Sequence, residues 1–437
     1  MNTLHEAATA LRHHQLTPVD LVEHCLSRIR QLDDRVRAWV FVAEDEAREQ
    51  AEQLSRELQR GQYRGPLHGI PIGVKDIFDV FDWPTAAGSK IWSQSFARKD
   101  SVVVERLRQA GAILLGKTVT TAYASFDPPP TRNPWNLKRT PGGSSSGSAA
   151  AVACNMCLGA LASQTGGSIT RPASFCGIAS LKPTYGRISL DGVVPLAPSM
   201  DHVGFMAPTV RDLALLLSAT SDPFPTFSTN VALSEVDRPP IIGRLGGLFL
   251  DRSDPVMSDA MAHAVSKLKA AGAQVVALDP PPPFAEVLPR HRTIMAVEAA
   301  EFHEHRFRRH PEDYPPCISA LIQEGLDTPA TEYVRALHLK DILTDSLVEQ
   351  LELSEAHAFL VPATLGPPPP AETTGDPAFN SPWSFTGLPA VSFPITWTDD
   401  GLPLCAQLIG NRFHEEELLR WAAWCEQVIA CPKKQVM

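Results

Sequence analysis

Two glycine-serine loops lie within one stretch, Thr140 to Arg171, and they limit what this chain can be. The first reads T-P-G-G-S-S-S-G-S-A-A-A-V-A and the second A-S-Q-T-G-G-S-I-T-R-P-A, with Ser144 and Ser168 twenty-four residues apart. Upstream, G-I-P-I-G-V-K-D-I carries Lys75 in an apolar run. A serine hydroxyl is a weak nucleophile at its free pKa and needs a neighbouring base. Lysine serves as that base only when neutral, a form that burial favours. Glycines beside each serine let the backbone approach a ligand closely, and successive N–H groups in the T-G-G-S turn can converge on a developing oxyanion. Neither loop is specific alone, because glycine-serine runs also serve as linkers, and a lone lysine in an apolar run commonly snorkels to the surface. A phosphate-binding loop is excluded, since neither G-x-x-x-x-G-K-[ST] nor a G-x-G-x-x-G opening a helix is present. The order and spacing of the three elements carry the argument.

Those elements belong to a longer series: G-P-L-H-G-I-P-I-G-V-K-D at 65–76, A-G-A-I-L-L-G-K-T at 110–118, P-G-G-S-S-S-G-S-A-A-A-V-A at 141–153, Q-T-G-G-S-I-T-R-P-A-S-F-C-G at 164–177, L-K-P-T-Y-G-R-I-S at 181–189, M-D-H-V-G-F-M at 200–206 and F-N-S-P-W-S-F-T-G-L-P-A-V-S-F-P at 379–394. With this series the chain resembles the amidase signature hydrolases over nearly its whole length. The resemblance implies that Ser168 is the acyl nucleophile. Ser144, after a cis peptide from Gly143, is the bridging serine, and Lys75 is the buried base. The backbone amides of Thr165, Gly166, Gly167 and Ser168 would form the oxyanion hole. The implied activity is cleavage of a small amide, with no cofactor or metal.

The chain departs from the commonest family pattern at Gln164, where many members have Asp, and at Thr170, with Arg171 one residue later than usual. The Q-T-G-G-S-x-x-R-P pattern is similar to a malonamidase-like subgroup, in which the corresponding arginine binds a substrate carboxylate. Arg171 is therefore either a carboxylate reader, using its planar fork of donors, or a structural cation. Gln164 and Ser145 are further candidate substrate contacts. Ser145 and Ser146 also fit loop packing and helix capping. Lys117 in G-K-T is the rival base.

A net charge of −10 argues against a nucleic-acid partner. No run of about 20 apolar residues suggests a membrane span, and the N-terminus lacks a signal-peptide pattern. A cytoplasmic enzyme acting on a small molecule, possible as a homodimer, is the expectation. Cys154 and Cys157 form a C-x-x-C without a second pair, so they read as core residues. His303, His305 and His310 read as a solvated helix face.

The length prior of about three domains gives way to one domain over 1–437, because the motifs run through it as one pattern. Within it, 1–62 supplies N-terminal helices, 63–220 the signature core and 285–357 a helical segment shaping substrate entry. Thr17-Pro18-Val19-Asp20 opens a helix; a strand at 70–75 ends on Lys75; 240–277 reads strand, helix, strand. This alternation favours an α/β architecture, and the resemblance implies a single mixed, twisted sheet surrounded by helices. Three other readings share the residues: the catalytic subunit of an amidotransferase, which passes ammonia to a partner; an esterase or carbamate hydrolase; and a catalytically dead binding relative.

Overall fold

The computed structural model describes residues 3–222 and 226–436; the remaining residues of the expected 1–437 domain lie outside it. Eleven strands form one sheet. In chain order they are β1 (Trp39–Val42), β2 (Pro71–Lys75), β3 (Ile113–Thr118), β4 (Gly159–Gln164), β5 (Ala179–Lys182), β6 (His202–Ala207), β7 (Ile241–Leu245), β8 (Gln274–Leu278), β9 (Ala358–Pro362), β10 (Ala390–Trp397) and β11 (Pro403–Ile409). Their spatial order is β1-β3-β2-β4-β6-β5-β10-β11-β9-β7-β8. Pairing is mixed: β2 lies parallel to β3 and β4, and β7 parallel to β8 and β9. The pairs β4/β6, β5/β6, β5/β10 and β10/β11 are antiparallel. Every residue of β2, β3, β4, β5, β6, β9 and β11 is buried. Strands covered on both faces need no polar alternation, which explains apolar runs such as A-I-L-L-G.

The helices that cover the sheet start where the sequence signals them. Pro18–Val36 opens with a capping box in which Thr17 and Asp20 satisfy each other's backbone donors. Glu44–Gln59 follows β1, and Val102–Gln109 precedes β3. The helix Ser146–Ala153 is buried at nearly every position and built of small residues. Gly147 shows why: a Cβ there would stand 2.1 Å from the Ala38 carbonyl oxygen and 2.3 Å from the Val119 nitrogen. Cys154 and Cys157 are buried in the core around this helix.

The 285–357 segment is helical, with helices Val287–Arg309, Pro316–Asp327 and Ala330–Leu353. Two aspartates fasten it to the loops beside the first serine loop. Asp127 accepts from the Cys317 and Ile318 amides (2.9 and 3.0 Å) at the start of Pro316–Asp327. Asp313, itself buried, accepts from the hydroxyls of Ser89 and Tyr123 and from the Lys90 amide (3.0 Å). His303 departs from the expected solvated face. It is fully buried, its ring against Tyr123 and Tyr314 and its Nδ1 3.1 Å from the Tyr314 hydroxyl. His305 and His310 are exposed. No group of three or more His, Cys, Asp or Glu able to hold a metal occurs among the described residues, nor is any helix there long and apolar enough to cross a membrane.

Asp313→Ala leaves buried hydroxyl and amide donors without their acceptor, at about 1–3 kcal/mol for each such group. The variant is expected to unfold at lower urea concentration than the parent, followed by tryptophan fluorescence.

Candidate active site

Lys75 ends β2 between two parallel neighbours, so its side chain emerges inside the sheet and is wholly buried. Its Nζ donates to Ser144 Oγ at 2.8 Å and to Ser163 Oγ at 2.7 Å. Burial pushes the ammonium pKa down to about 7, while the negative charge of Asp201 pulls it back up. Reasoning from the sequence misses Ser163. The available signal is a lone serine closing the apolar strand G-A-L-A-S next to the second loop.

Ser144 follows Gly143 through a cis peptide bond. Its carbonyl accepts from the Thr121 amide at 3.2 Å. Gly142, at φ +85°, packs so tightly on the second loop that a Cβ would lie 2.6 Å from Pro172 Cα. The two serine loops therefore touch. Ser145, expected to contact substrate, turns to the backbone: its Oγ donates to the Ser163 carbonyl (3.2 Å) and accepts from the Ser163 amide (3.3 Å). Those bonds tie the first loop to β4.

The second loop leaves the end of β4. Gln164 Oε1 accepts from the amides of Ile169 and Thr170, both at 3.0 Å, and Nε2 donates to Ser384 Oγ at 3.1 Å. Gln164 thus holds the turn closed. Ser168 sits at the apex and keeps 7% exposure. Among the described residues neither its hydroxyl nor the amides of Gly166 and Gly167 have a protein partner. The Lys75–Ser144 half of the expected relay is formed; a Ser144–Ser168 hydrogen bond is not. Thr165 is held twice. Its hydroxyl donates to Asp201, whose other oxygen accepts from the Leu196 and Ala197 amides (2.9 and 3.1 Å), and its carbonyl lies 2.9 Å from His291 Nε2.

Arg171 is completely buried on the helix Thr170–Cys176. Its Nε donates to the Thr374 carbonyl at 2.7 Å and its Nη2 to the Gly143 carbonyl at 2.8 Å. Burial lowers its pKa to about 10, opposed by Asp376. Nη1 lies beneath Gly167, where a Cβ would meet it at 2.7 Å, with Asn380 Oδ1 at the same distance. Both atoms are buried and unpartnered. The rival base, Lys117, is committed elsewhere: it donates to Asp76 (3.2 Å), the Phe78 carbonyl (2.7 Å) and Thr85 (3.2 Å).

A cavity of about 240 Å³ opens beside the second loop, walled by Phe126, Leu288, Met295, Pro377 and Ala378, with His291 and Ser381 at its polar edge. His291, Phe126 and Ser381 all come within 3.7 Å of the position a Gly166 Cβ would take. The charged residues of its lining are paired outward: Arg292 with Glu324 at 2.6 Å and Asp376 with Arg252 at 2.7 Å. A larger cavity, about 720 Å³, lies between the N-terminal helix and the C-terminal tail; neither cavity has Lys75, Ser144 or Ser168 in its lining, and the smaller is the one that adjoins Gly166.

The family model described as Amidase matches residues 20–419. The chain is 34% identical to a glutamyl-tRNA(Gln) amidotransferase subunit of Geobacter metallireducens, an alignment covering 98% of this chain and 97% of that protein. It is 33% identical to an amidase of Pseudomonas putida, covering 96% and 94%. A solved structure described as an unexpected vestigial protein complex that reveals the evolutionary origins of an s-triazine catabolic enzyme superposes with a TM-score of 0.91 at 31% identity, covering all of both chains. Eleven strands in one mixed sheet, a buried lysine on paired serines and a family match across the chain agree: this protein belongs to the amidase family.

Proposed function

We propose that this protein hydrolyses a small carboxamide through an acyl-enzyme on Ser168, using Lys75 and Ser144 as a proton relay. The observation that carries this reading is a fully buried lysine bonded at 2.8 Å to the hydroxyl of Ser144 in the first loop, where burial lowers its pKa to about 7. Neutral Lys75 accepts the Ser144 proton, and Ser144 accepts that of Ser168 as its oxygen attacks the amide carbon. The amides of Thr165, Gly166, Gly167 and Ser168 receive the oxyanion, where each donor contributes roughly 3–4 kcal/mol. The proton returns to the leaving nitrogen as the C–N bond breaks. Water then adds to the acyl carbon by the same relay, releasing the acid and restoring Ser168.

The acyl group is neutral and small in this reading. Apolar walls favour an uncharged chain, and about 240 Å³ is below the usual range for drug-sized ligands. A malonamidase-like preference for a carboxylate rests on the Q-T-G-G-S-x-x-R-P pattern alone. Two of the three Arg171 nitrogens serve backbone carbonyls, which supports the structural role of the two weighed for it. Ammonia transfer to a partner is the second reading, favoured by 34% identity to one component of an amidotransferase. Co-purification of a stable second chain, with glutaminase activity dependent on it, would select that reading.

Ammonia release from a dicarboxylic monoamide and from its methyl ester amide tests both points. The ester amide is expected to be turned over faster, and Ser168→Ala to lose more than about a thousandfold in kcat on both. A strong preference for the free acid instead makes Arg171 the carboxylate reader. Because the base must be neutral, kcat/KM is expected to rise with pH through about 7 and then level. Ser163→Ala removes an acceptor that stabilises the ammonium form. Its rising limb should shift to lower pH, with a rate loss of about fivefold, the worth of one hydrogen bond.

A further inference from the structure

We infer that His291, on a helix outside the signature core, is a positioning residue for the oxyanion loop. It acts through the carbonyl of Thr165 and rests on the reading of Gly166 N–H as an oxyanion donor. His291 lies near the start of Val287–Arg309, is buried, and places Nε2 2.9 Å from the Thr165 carbonyl oxygen. A carbonyl can only accept, so Nε2 carries the proton. Burial, with smaller repulsion from Arg292 and Lys340, lowers the ring pKa to about 4 and keeps the imidazole neutral.

The Thr165 carbonyl and the Gly166 N–H belong to one peptide group. A hydrogen bond accepted at the oxygen polarises that group and makes its N–H a stronger donor. The same bond fixes the plane of the peptide, because Thr165 is already held by its hydroxyl on Asp201. Two anchors on one residue leave Gly166 little rotation, so its donor is oriented before substrate arrives. Preorganisation of this kind lowers the barrier without tightening ground-state binding. His291 also forms part of the cavity wall beside Gly166. The helix that walls the cavity beside Gly166 therefore also holds the peptide group assigned to the oxyanion.

The test compares His291→Gln, which retains an N–H donor, with His291→Met, which has similar bulk and none. The methionine variant is expected to lose about ten- to thirtyfold in kcat with KM within twofold of the parent, less than the loss of a direct oxyanion donor. Glutamine should recover most of that loss at an equal thermal midpoint. Should the methionine variant fail to fold, His291→Ala with and without added imidazole gives the same comparison, with rescue of kcat expected. Full kcat in His291→Met, equal losses in the Gln and Met variants, or no imidazole rescue overturns the proposal. Ser168→Ala, run alongside, separates the two levels: if it remains active the nucleophile reading fails, whereas an inactive Ser168→Ala beside a fully active His291→Met removes only the role of His291.

Discussion

A lysine taken out of water at the end of a central strand is the constraint from which the site follows. Removing an ammonium from solvent costs several kcal/mol even after relaxation, and the fold offers it two serine hydroxyls in place of a carboxylate. Asp201 is felt only at a distance and opposes the effect of burial. Lys117, one strand away, shows the alternative. It is equally buried but touches Asp76, and so is held as an ion pair. Two lysines of one sheet thus differ in what lies at their tips: hydroxyls for Lys75, a carboxylate for Lys117.

Much of the polar inventory around Ser168 supports the backbone. Gln164 closes the second loop, Ser145 fastens the first loop to β4, and Arg171 links the Gly143 carbonyl to Thr374. Buried polar groups are retained when they are hydrogen-bonded, and here they leave the reacting groups as the ones with capacity to spare. Nη1 of Arg171 and Oδ1 of Asn380 are exceptions, both under Gly167. They leave no room for a side chain at that residue of the second loop.

The sequence is most legible where chemistry and backbone geometry impose residue types. Lys75, the G-G-S turns and the small-residue helix after Ser146 can be placed because few residues satisfy those positions. The capping box at Thr17 and the strand–helix–strand at 240–277 follow from local signals. Ser163, Asp201 and His291 escape such reasoning. Each acts through a contact between segments distant in the chain, and a lone serine, aspartate or histidine has no local signature for that. The same reason explains His303: helical spacing separates it from its neighbours, but only the packing of Tyr123 and Tyr314 shows that its face is inside. Gln164, Ser145 and Arg171 stand out by their proximity to Ser168, but the backbone groups that they bond come from packing and are not readable from the sequence.

Asp127 and Asp313 clamp the helical segment at two points. Two carboxylates that accept from backbone amides and hydroxyls join it to the loops 89–91 and 121–127, alongside the ring contacts of Tyr123 with His303 and Tyr314. At Asp127 the donors are both amides, present whatever the side chains are, whereas Asp313 also requires the hydroxyls of Ser89 and Tyr123. Such a segment is clamped at two points, like a jaw on an anvil, and between those points its helices pack on one another.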